Sequence, residues 1–322
     1  MKNAHHTPLV SIIMPSLNQA NFIARSIDSI LAQDYRYLEL IIMDGVSSDD
    51  TLKQLKHYQK KDRRVRWFSE PDKGPADALN KALRKTRGTL IGWLNADDCY
   101  TQGAVYRAVE AFAKQPEKLM VYGKGQHINQ RDEIIGDYPT KLPENFQKNF
   151  KKGCFICQPT VFFQRSMFIM LGSLNENLKT AFDFDYWLRA FSAFPKRVGY
   201  LPEVQAYSRL HTDCITLRMR RTVAFEGMQL LAQYFDTAPR HWLLSYINEW
   251  LNEESEKSTQ YIHNSHKESN VNLHISQAIQ DARPYLSYDD YQQLQFEIWQ
   301  EILPQWLQKR NLENSNRLIS KN

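Results

Sequence analysis

Cysteine is scarce in this 322-residue sequence: Cys99, Cys154, Cys157 and Cys214 are the only four, and they are scattered. That spacing excludes the disulfide framework of a small secreted domain and points to a reducing compartment. Cys154 and Cys157 form a C-x-x-C, but a structural zinc site takes a second ligand pair at matching spacing and none follows, so apolar packing is the reading for both. No apolar run approaches the ~18 to 20 residues of a membrane span. The start, Met1 to Thr7, has no apolar signal-peptide core, so a cytoplasmic chain is expected. Glycine-rich phosphate loops are missing as well. No G-x-G-x-x-G follows the first strand-like run and no G-x-x-x-x-G-K-[ST] occurs anywhere, which removes dinucleotide-type and Walker-type nucleotide sites.

What remains is ordinary globular composition, 42% hydrophobic and 24% charged. The length suits about two domains at ~150 residues each. Forty-one Lys and Arg against 36 Asp and Glu leave a net charge of +5. So mild a basic excess is compatible with nucleotides, a membrane surface or RNA and decides among none of them.

Hydrophobic patterning predicts an alternating unit followed by helices. Leu9 to Met14 reads as a strand broken by Pro15, and Phe22, Ile23, Ile27, Ile30 and Leu31 then recur at helical spacing. Leu38 to Met43 is a second strand; a helix carrying Leu52, Leu55 and Tyr58 follows, with Ser47 or Ser48 as its cap. Val65 to Phe68, a helix opened by Pro75, and Thr89 to Leu94 complete four β–α alternations, which imply a parallel, helix-covered sheet. Past a helix bearing Val105, Val109 and Phe112 the pattern loosens, and Leu119 to Gly125 and Thr160 to Phe163 suggest mixed strands. From about Ile215 only amphipathic helices are expected, with a loose polar connection over Glu253 to Asn272 and a helix over Leu286 to Leu307 that Pro304 kinks or ends. The expected organisation is a short flexible tail over 1–7, an α/β domain over 8–214 and a helical region over 215–322.

In an open parallel sheet, ligands bind outside the carboxyl ends of the strands. Those ends carry Pro15-Ser16-Leu17-Asn18, Asp44-Gly45, Glu70-Pro71-Asp72-Lys73-Gly74 and Asn95-Ala96-Asp97-Asp98. Without a glycine cradle, a nucleoside diphosphate needs its charge offset by a carboxylate-held divalent cation, for which Asp97 is the candidate ligand. If the strand continues that far, Asn95 and Asp97 share a face and Asp98 points opposite. The bland alternative is a turn with helix-capping acids; for Asp44 the choice lies between a base or ribose contact and an Asx turn with Gly45.

Several ordered motifs identify a family. VSIIMPSLNQANFIARSIDSILAQDY at 10–35, ELIIMDGVSSDDT at 39–51, EPDKGPADALNKAL at 70–83, GTLIGWLNADD at 88–98, QPTVFF at 158–163 and FDFDYWLRAF at 182–191 together resemble the family 2 glycosyltransferases, inverting sugar-nucleotide enzymes of the GT-A fold. The resemblance covers about Pro8 to Ser208. It implies a Rossmann-like mixed sheet flanked by helices, to which the helical C-terminal region is appended. It also implies that Pro15, Ser16 and Asn18 touch the nucleotide, that Asp44 recognises the base, usually uracil, and that Asp72 and Lys73 stand in the next nucleotide-facing loop. By the same likeness Asp97 holds Mg²⁺ or Mn²⁺ against the diphosphate, His211 lies near that metal, and Asp183 is the catalytic base. The pattern is broken twice: Asn95 stands where the leading Asp of an Asp-x-Asp is usual, and Leu79 and Ala82 stand where many members carry Arg and Gly. Asn95 removes a negative charge beside the sugar phosphate, while Asp77 and Asn80 remain as polar groups for donor contact, Asp77 serving equally well as a helix cap.

Asp183 and Asp185 are two apart and do not share a helix face, so one acid is expected to reach the acceptor and the other to sit in the first turn for structural reasons. N-capping is the plain alternative for Asp183. Trp187 and Phe191 read as core, Trp93 as buried strand, and His127 and His241 lack a supporting context. The Arg218, Arg220 and Arg221 cluster reads as a solvated surface. A peripheral membrane contact through the aromatic helix Phe296 to Trp306, at the inner face of the membrane, is the sharper alternative. The resulting expectation is a metal-dependent transferase acting on a nucleoside-diphosphate sugar and a glycan or lipid-linked acceptor, without nucleic acid. A catalytically silent sugar-nucleotide or glycan-binding relative is the second reading. A nucleotidyltransferase is set aside for want of a glycine-rich loop.

Overall fold

The computed structural model describes residues 7–258 and 266–319, so residues 1–6 of the expected tail lie outside the described residues. These residues cluster into two compact units, Met1–Phe150 with Cys154–Arg218, and Lys151–Gly153 with Met219–Asn322.

The first unit opens with β1 (Val10–Ser16), α1 (Ile23–Leu31), β2 (Leu38–Asp44), α2 (Thr51–Lys61), β3 (Val65–Ser69), α3 (Pro75–Lys85) and β4 (Leu90–Trp93). It continues with β5 (Cys99–Tyr100), α4 (Ala104–Lys114), β6 (Met120–Ile128), β7 (Ile134–Asp137), α5 (Phe146–Lys152) and a 3-10 turn (Gln158–Thr160). Then come β8 (Phe162–Gln164), α6 (Arg165–Leu171), α7 (Phe182–Ala193), β9 (Val198–Arg209) and α8 (Ile215–Arg218). The strands form one nine-stranded sheet in the order β3-β2-β1-β4-β8-β6-β9-β5, with β7 paired to β6. The β3, β2, β1 and β4 pairings are parallel, so their carboxyl ends share one edge. Past β4 the sheet is mixed, with β8 antiparallel to both β4 and β6 and β9 parallel to β6. Every residue of β2 is buried, as a strand covered on both faces requires. In α1, Ile23, Ile27 and Ile30 are fully buried, which is the one-sided stripe its spacing predicts.

β4 and β5 are joined by five residues, yet they lie in the middle and at the far end of the strand order. A sheet meeting both conditions must curl. The Tyr100 ring of β5 accordingly stacks on Phe162 of β8 with centroids 5.3 Å apart. Gly92 permits that approach, because a Cβ there would stand 2.7 Å from Tyr100 Oη and 2.6 Å from Ile12 Cδ1. The curl lays Asn95–Asp98 along the open edge, between β4 and the end of β9.

At the opposite end of β1 and β2 a buried acid ties three segments together. Glu39 accepts hydrogen bonds from Ser11 Oγ at 2.7 Å and from the Arg87 N–H at 2.8 Å, and pairs with Arg66 at 3.1 Å and Arg87 at 2.8 Å. Burial pushes its carboxyl up, but the Ser11 and Arg87 hydrogen bonds and the Arg87 charge outweigh burial and hold it below its ordinary range. A depressed carboxyl stabilises the fold fully above its unfolded pKa, and that contribution is lost as pH falls through the folded value. Glu39→Ala, which strands the Ser11 and Arg87 donors, is expected to lower stability by about 2–4 kcal/mol in urea denaturation at pH 7, with a smaller difference from wild type below pH 4.

The second unit contains α9 (Arg220–Phe235), α10 (His241–Ser258), α11 (His266–Ala282), α12 (Tyr288–Phe296) and α13 (Leu303–Ile319) around Leu231, Leu243, Ile247, Ile275, Leu294 and Ile298. Two expectations are corrected here. Residues Glu253–Ser258 and His266–Asn272 are helical rather than a loose connection, and 259–265 lie outside the described residues. Pro304 does not end the helical run. It sits in the first turn of α13 after a π-helical stretch, Glu297–Ile302, and that wider turn absorbs the loss of the proline N–H. In the aromatic stretch Phe296 to Trp306, Phe296 is exposed while Trp306 is buried, its indole donating to Leu251 O at 3.0 Å and Ser255 Oγ at 2.8 Å. Arg220 pairs with Glu249 and Glu253, and Arg221 with Asp281, so both are engaged within the unit. Among the described residues no helix is long and apolar enough to cross a membrane.

Candidate active site

Five stretches meet on the open edge of the first unit. Two of them, the loops after β1 and β2, are stitched together. Asn18 has a positive φ of 53°, which asparagine tolerates. Its N–H donates to Ser47 Oγ at 2.8 Å, and its Oδ1 accepts from the Ser48 N–H at 2.8 Å. Ser47 also donates its N–H to Asp44 Oδ2 at 2.9 Å, and Ser69 Oγ donates to the same oxygen at 2.8 Å. Asp44 is thus buried and gripped from two sides. The cap of α2 is correspondingly Asp50 and not Ser47 or Ser48, because both serines are spent on this stitching. The Ser16 hydroxyl is buried with no hydrogen-bond partner among the described residues.

Gly45 brings the next loop in. A Cβ there would stand 2.6 Å from Asp72 Oδ2, so the Asp72 carboxylate folds across the glycine beside Asp44. Burial, with Asp77 and Asp44 adding to it, holds the Asp72 carboxyl above its ordinary range, against the pull of the Gly74 N–H and Lys81. Lys73 is exposed, its ammonium 3.9 Å from Glu176. The Asn80 side chain is buried and committed, donating to Leu174 O at 3.0 Å and Glu176 Oε1 at 2.9 Å and accepting from the Leu174 N–H at 2.9 Å. It therefore ties α3 to the 174–176 loop.

The Asn95–Asp98 stretch is a turn, the Asp98 N–H donating to Asn95 O at 3.2 Å after β4 has ended at Trp93. The strand-face argument pairing Asn95 with Asp97 does not apply. Asn95 accepts from the Trp93 indole at 3.0 Å and donates to Gln158 Oε1 at 2.9 Å and Asp98 Oδ2 at 3.2 Å. Asp98 is fully buried and also accepts from the Arg209 N–H at 2.8 Å; burial and the neighbouring Asp97 push its carboxyl well up. Asp97 points elsewhere: its Oδ2 lies 3.0 Å from His211 Nε2, and it keeps a modest exposure of 18%. Among the described residues no group of three or more His, Cys, Asp or Glu forms a closed metal cage.

Asp183 stands in the first turn of α7, whose cap is Ala181, so N-capping is not its role. Its Oδ1 accepts from the Phe184 N–H at 2.7 Å. Burial pushes its carboxyl up to about 6 against that hydrogen bond, which puts it within reach of neutral-pH proton transfer. Asp185 pairs with Arg189 at 2.9 Å on the helix flank and is structural, as its position predicts. Burial mainly, and then Asp98, Cys154 and Asp183, raise the buried Cys157 thiol. Gly125 accommodates it: a Cβ there would meet Cys157 Sγ at 2.3 Å. Trp93, Trp187 and Phe191 are buried, and Trp93 stacks against Phe182 at 5.8 Å, so none of the three offers a sugar platform.

The pattern described as Glycosyl transferase family 2 matches residues 11–177, more than half of the chain. The chain belongs to glycosyltransferase family 2. It is 31% identical over 189 residues to a chondroitin synthase of Escherichia coli, a match that takes in 58% of this chain but 27% of that much longer protein. An uncharacterized glycosyltransferase of Rickettsia prowazekii is 28% identical over 224 residues, 66% of this chain and 67% of its own length. Among solved structures, residues 1–349 of S. aureus TarS in complex with UDP-GlcNAc match 96% of this chain and 91% of that one, with a TM-score of 0.58 and 16% identity. The mannosyltransferase PcManGT of Pyrobaculum calidifontis, in complex with GDP-Man and Mn²⁺, matches 95% and 84% with a TM-score of 0.56 and 18% identity. These likenesses, with the mixed, curled sheet, establish the GT-A fold.

The acidic stretch at 182–189 lies beyond the matched residues of this family 2 transferase. Sequence reading missed three of its structural contributors: Gln158, which bridges Asn95 and the Trp93 carbonyl, Arg209, and Ser69. Gln158 opens the QPTVFF stretch and Arg209 ends β9, but only the fold shows what they touch. Restoring the usual acid with Asn95→Asp would set a carboxylate against buried Asp98 and remove a donor to Gln158. A stability loss of about 1–3 kcal/mol is expected, read as a lowered urea midpoint.

Proposed function

We propose that this family 2 enzyme is an inverting glycosyltransferase that moves a sugar from a nucleoside-diphosphate sugar, UDP-linked, to a hydroxyl of a glycan or lipid-linked acceptor. One observation carries the reading: a carboxylate–imidazole pair, Asp97 with His211, shares the sheet edge with an acid, Asp183, raised to about 6. The two ligands fit a nucleotide-bound Mg²⁺ or Mn²⁺, which takes few protein groups and completes its shell with phosphate oxygens and water. When bound, that ion offsets the negative charge that develops on the leaving diphosphate.

The chain's own groups supply the rest. Asp44, held by Ser47 and Ser69, and the unpartnered Ser16 hydroxyl face the nucleoside, with Pro15, Asn18, Asp72 and Lys73 around it. Asn95 and Asn80 act as struts behind the donor loops. Asp183 accepts the proton of the acceptor hydroxyl as its oxygen bonds to the anomeric carbon, and the bond from that carbon to the diphosphate oxygen breaks with its electron pair. One displacement inverts the configuration. The engagement of Arg220, Arg221 and Trp306 inside the second unit offers no support for peripheral membrane contact through them, and cysteine usage supports the cytoplasmic setting.

The test is calorimetric titration of UDP, GDP, dTDP and CMP with and without Mn²⁺. UDP binding that requires Mn²⁺ is the expected result. Binding of none, or binding indifferent to metal, overturns the metal-dependent donor site and leaves the silent relative as the better reading.

A further inference from the structure

Arg209 ends β9, two residues before His211, and its guanidinium is wholly buried. Nε donates to the Asp97 carbonyl at 2.7 Å, Nη1 to the Asn129 carbonyl at 2.7 Å, and Nη2 pairs with Asp132 Oδ1 at 2.5 Å. The same residue's N–H holds Asp98. Its guanidinium lies over the Phe22 ring at 5.0 Å, and the His211 ring meets that phenyl group at 4.7 Å. Asp132, at a positive φ of 67° in the turn between β6 and β7, also pairs with Arg25 at 2.6 Å. It therefore clasps two arginines that share the Phe22 ring, Arg25 standing 5.5 Å from its centroid. β7 is exposed along its length and pairs with β6, so the hairpin reaches the site loops through the β6–β9 ladder that ends at Ile128 and Arg209, and its tip through this clasp and the Arg25 bond to Gln130 O at 3.3 Å.

We propose that Arg209, oriented by Asp132, is the positioning residue that aims the Asp97–His211 pair, so that the tip of the β6–β7 hairpin sets metal–nucleotide affinity without touching either ligand. The inference rests on the metal role of that pair argued above. A buried cation holding the backbone of one ligand residue, two positions ahead of the other, fixes both at once. Metal sites lose about 10- to 100-fold in affinity when such supporting groups are removed. Asp132 is 44% exposed, and Arg209 keeps its bonds to the Asp97 and Asn129 carbonyls when Asp132 is changed, so Asp132→Asn costs stability by unpairing a buried cation yet leaves the chain folded.

Asp132→Asn and Asp132→Glu are compared with wild type in two measurements. Mn²⁺ affinity at saturating UDP, read by electron paramagnetic resonance, is expected to weaken about 10-fold in Asp132→Asn and to recover in Asp132→Glu, with a folded far-ultraviolet circular dichroism spectrum in both variants. In metal-free protein carrying ¹⁵N-labelled histidine, the His211 side-chain signal, assigned through His211→Gln, is expected to shift in Asp132→Asn. A His211 signal and a Mn²⁺ affinity that both match wild type overturn the proposal, as does a shifted signal at unchanged affinity. Absence of Mn²⁺-dependent UDP binding in wild type itself defeats the metal role of Asp97 and His211; the histidine signal then still reports whether the clasp orients the pair.

Discussion

Asp183→Asn is expected to reduce sugar transfer by about 10²- to 10⁴-fold, the usual contribution of a positioned base, while Mn²⁺-dependent UDP binding stays at the wild-type level. The same substitution is expected to stabilise the fold. Burial raises the Asp183 carboxyl from its ordinary 3.8 to about 6, so folding disfavours its charged form. For a raised carboxyl the sign is opposite to that of Glu39: the favourable contribution belongs to the protonated form and is lost as pH rises from the unfolded value through about 6. Two pH units correspond to roughly 3 kcal/mol at most, and the opening that lets the acceptor in reduces that. Urea denaturation at pH 5 and pH 8 gives the check, with Asp183→Asn showing its larger advantage over wild type at pH 8. Wild-type kcat/KM should fall on the acid side with an apparent pKa near 6. A variant that keeps its activity, or an acid limb below pH 5, moves the base elsewhere.

Asp97→Asn is the second large effect. In the proposed metal site the carboxylate would supply the charged ligand of the pair, and a neutral amide would leave His211 as the better donor of the two. A loss of roughly 3 kcal/mol in Mn²⁺ binding at saturating UDP, about 100-fold, is expected by electron paramagnetic resonance, and His211→Ala should cost about 10-fold. Because Asp97 is partly exposed and Asp98 is the buried acid of the turn, the melting temperature of Asp97→Asn should move little. The reverse holds for Asp98, whose carboxylate accepts from Arg209 and Asn95 in the interior. Adjacent acids thus divide the work, one toward the ligand and one toward the fold.

The strand ends were legible because four β–α alternations fix where parallel strands stop, and Asp44, Asp72 and Asp97 all fall there. The N-terminal half of the fold follows from apolar periodicity in Ile12–Met14, Leu40–Ile42 and α1. The second half was less legible for a physical reason. β5 has two residues, and β7 is exposed throughout, so neither carries an alternation to read. The curl that joins β5 to β9 depends on Gly92 lacking a side chain, a matter of contact and not of pattern. Asn95 is the instructive residue of the site. As a letter it looks like a weakened metal ligand; in place, its amide matches the carboxylate of Asp98 and the Gln158 oxygen, and an acid would not. Asn80 is similar, a polar group facing the donor loops by sequence and a tether to Leu174 and Glu176 in the fold. Arg209 escaped notice because it looks like any arginine at a strand end, and only burial against Asp97, Asn129 and Asp132 gives it meaning.

The central claim is a single displacement at the anomeric carbon of a nucleotide sugar. Proton NMR of the purified chain with Mn²⁺ and α-linked UDP-N-acetylglucosamine, UDP-glucose or UDP-galactose, followed from the first minutes while water serves as acceptor, tests it directly. Slow release of UDP with the β-anomer of the free sugar appearing first, and abolished in Asp183→Asn, is the predicted result. The α-anomer appearing first, or no donor turned over while UDP still binds, would contradict it.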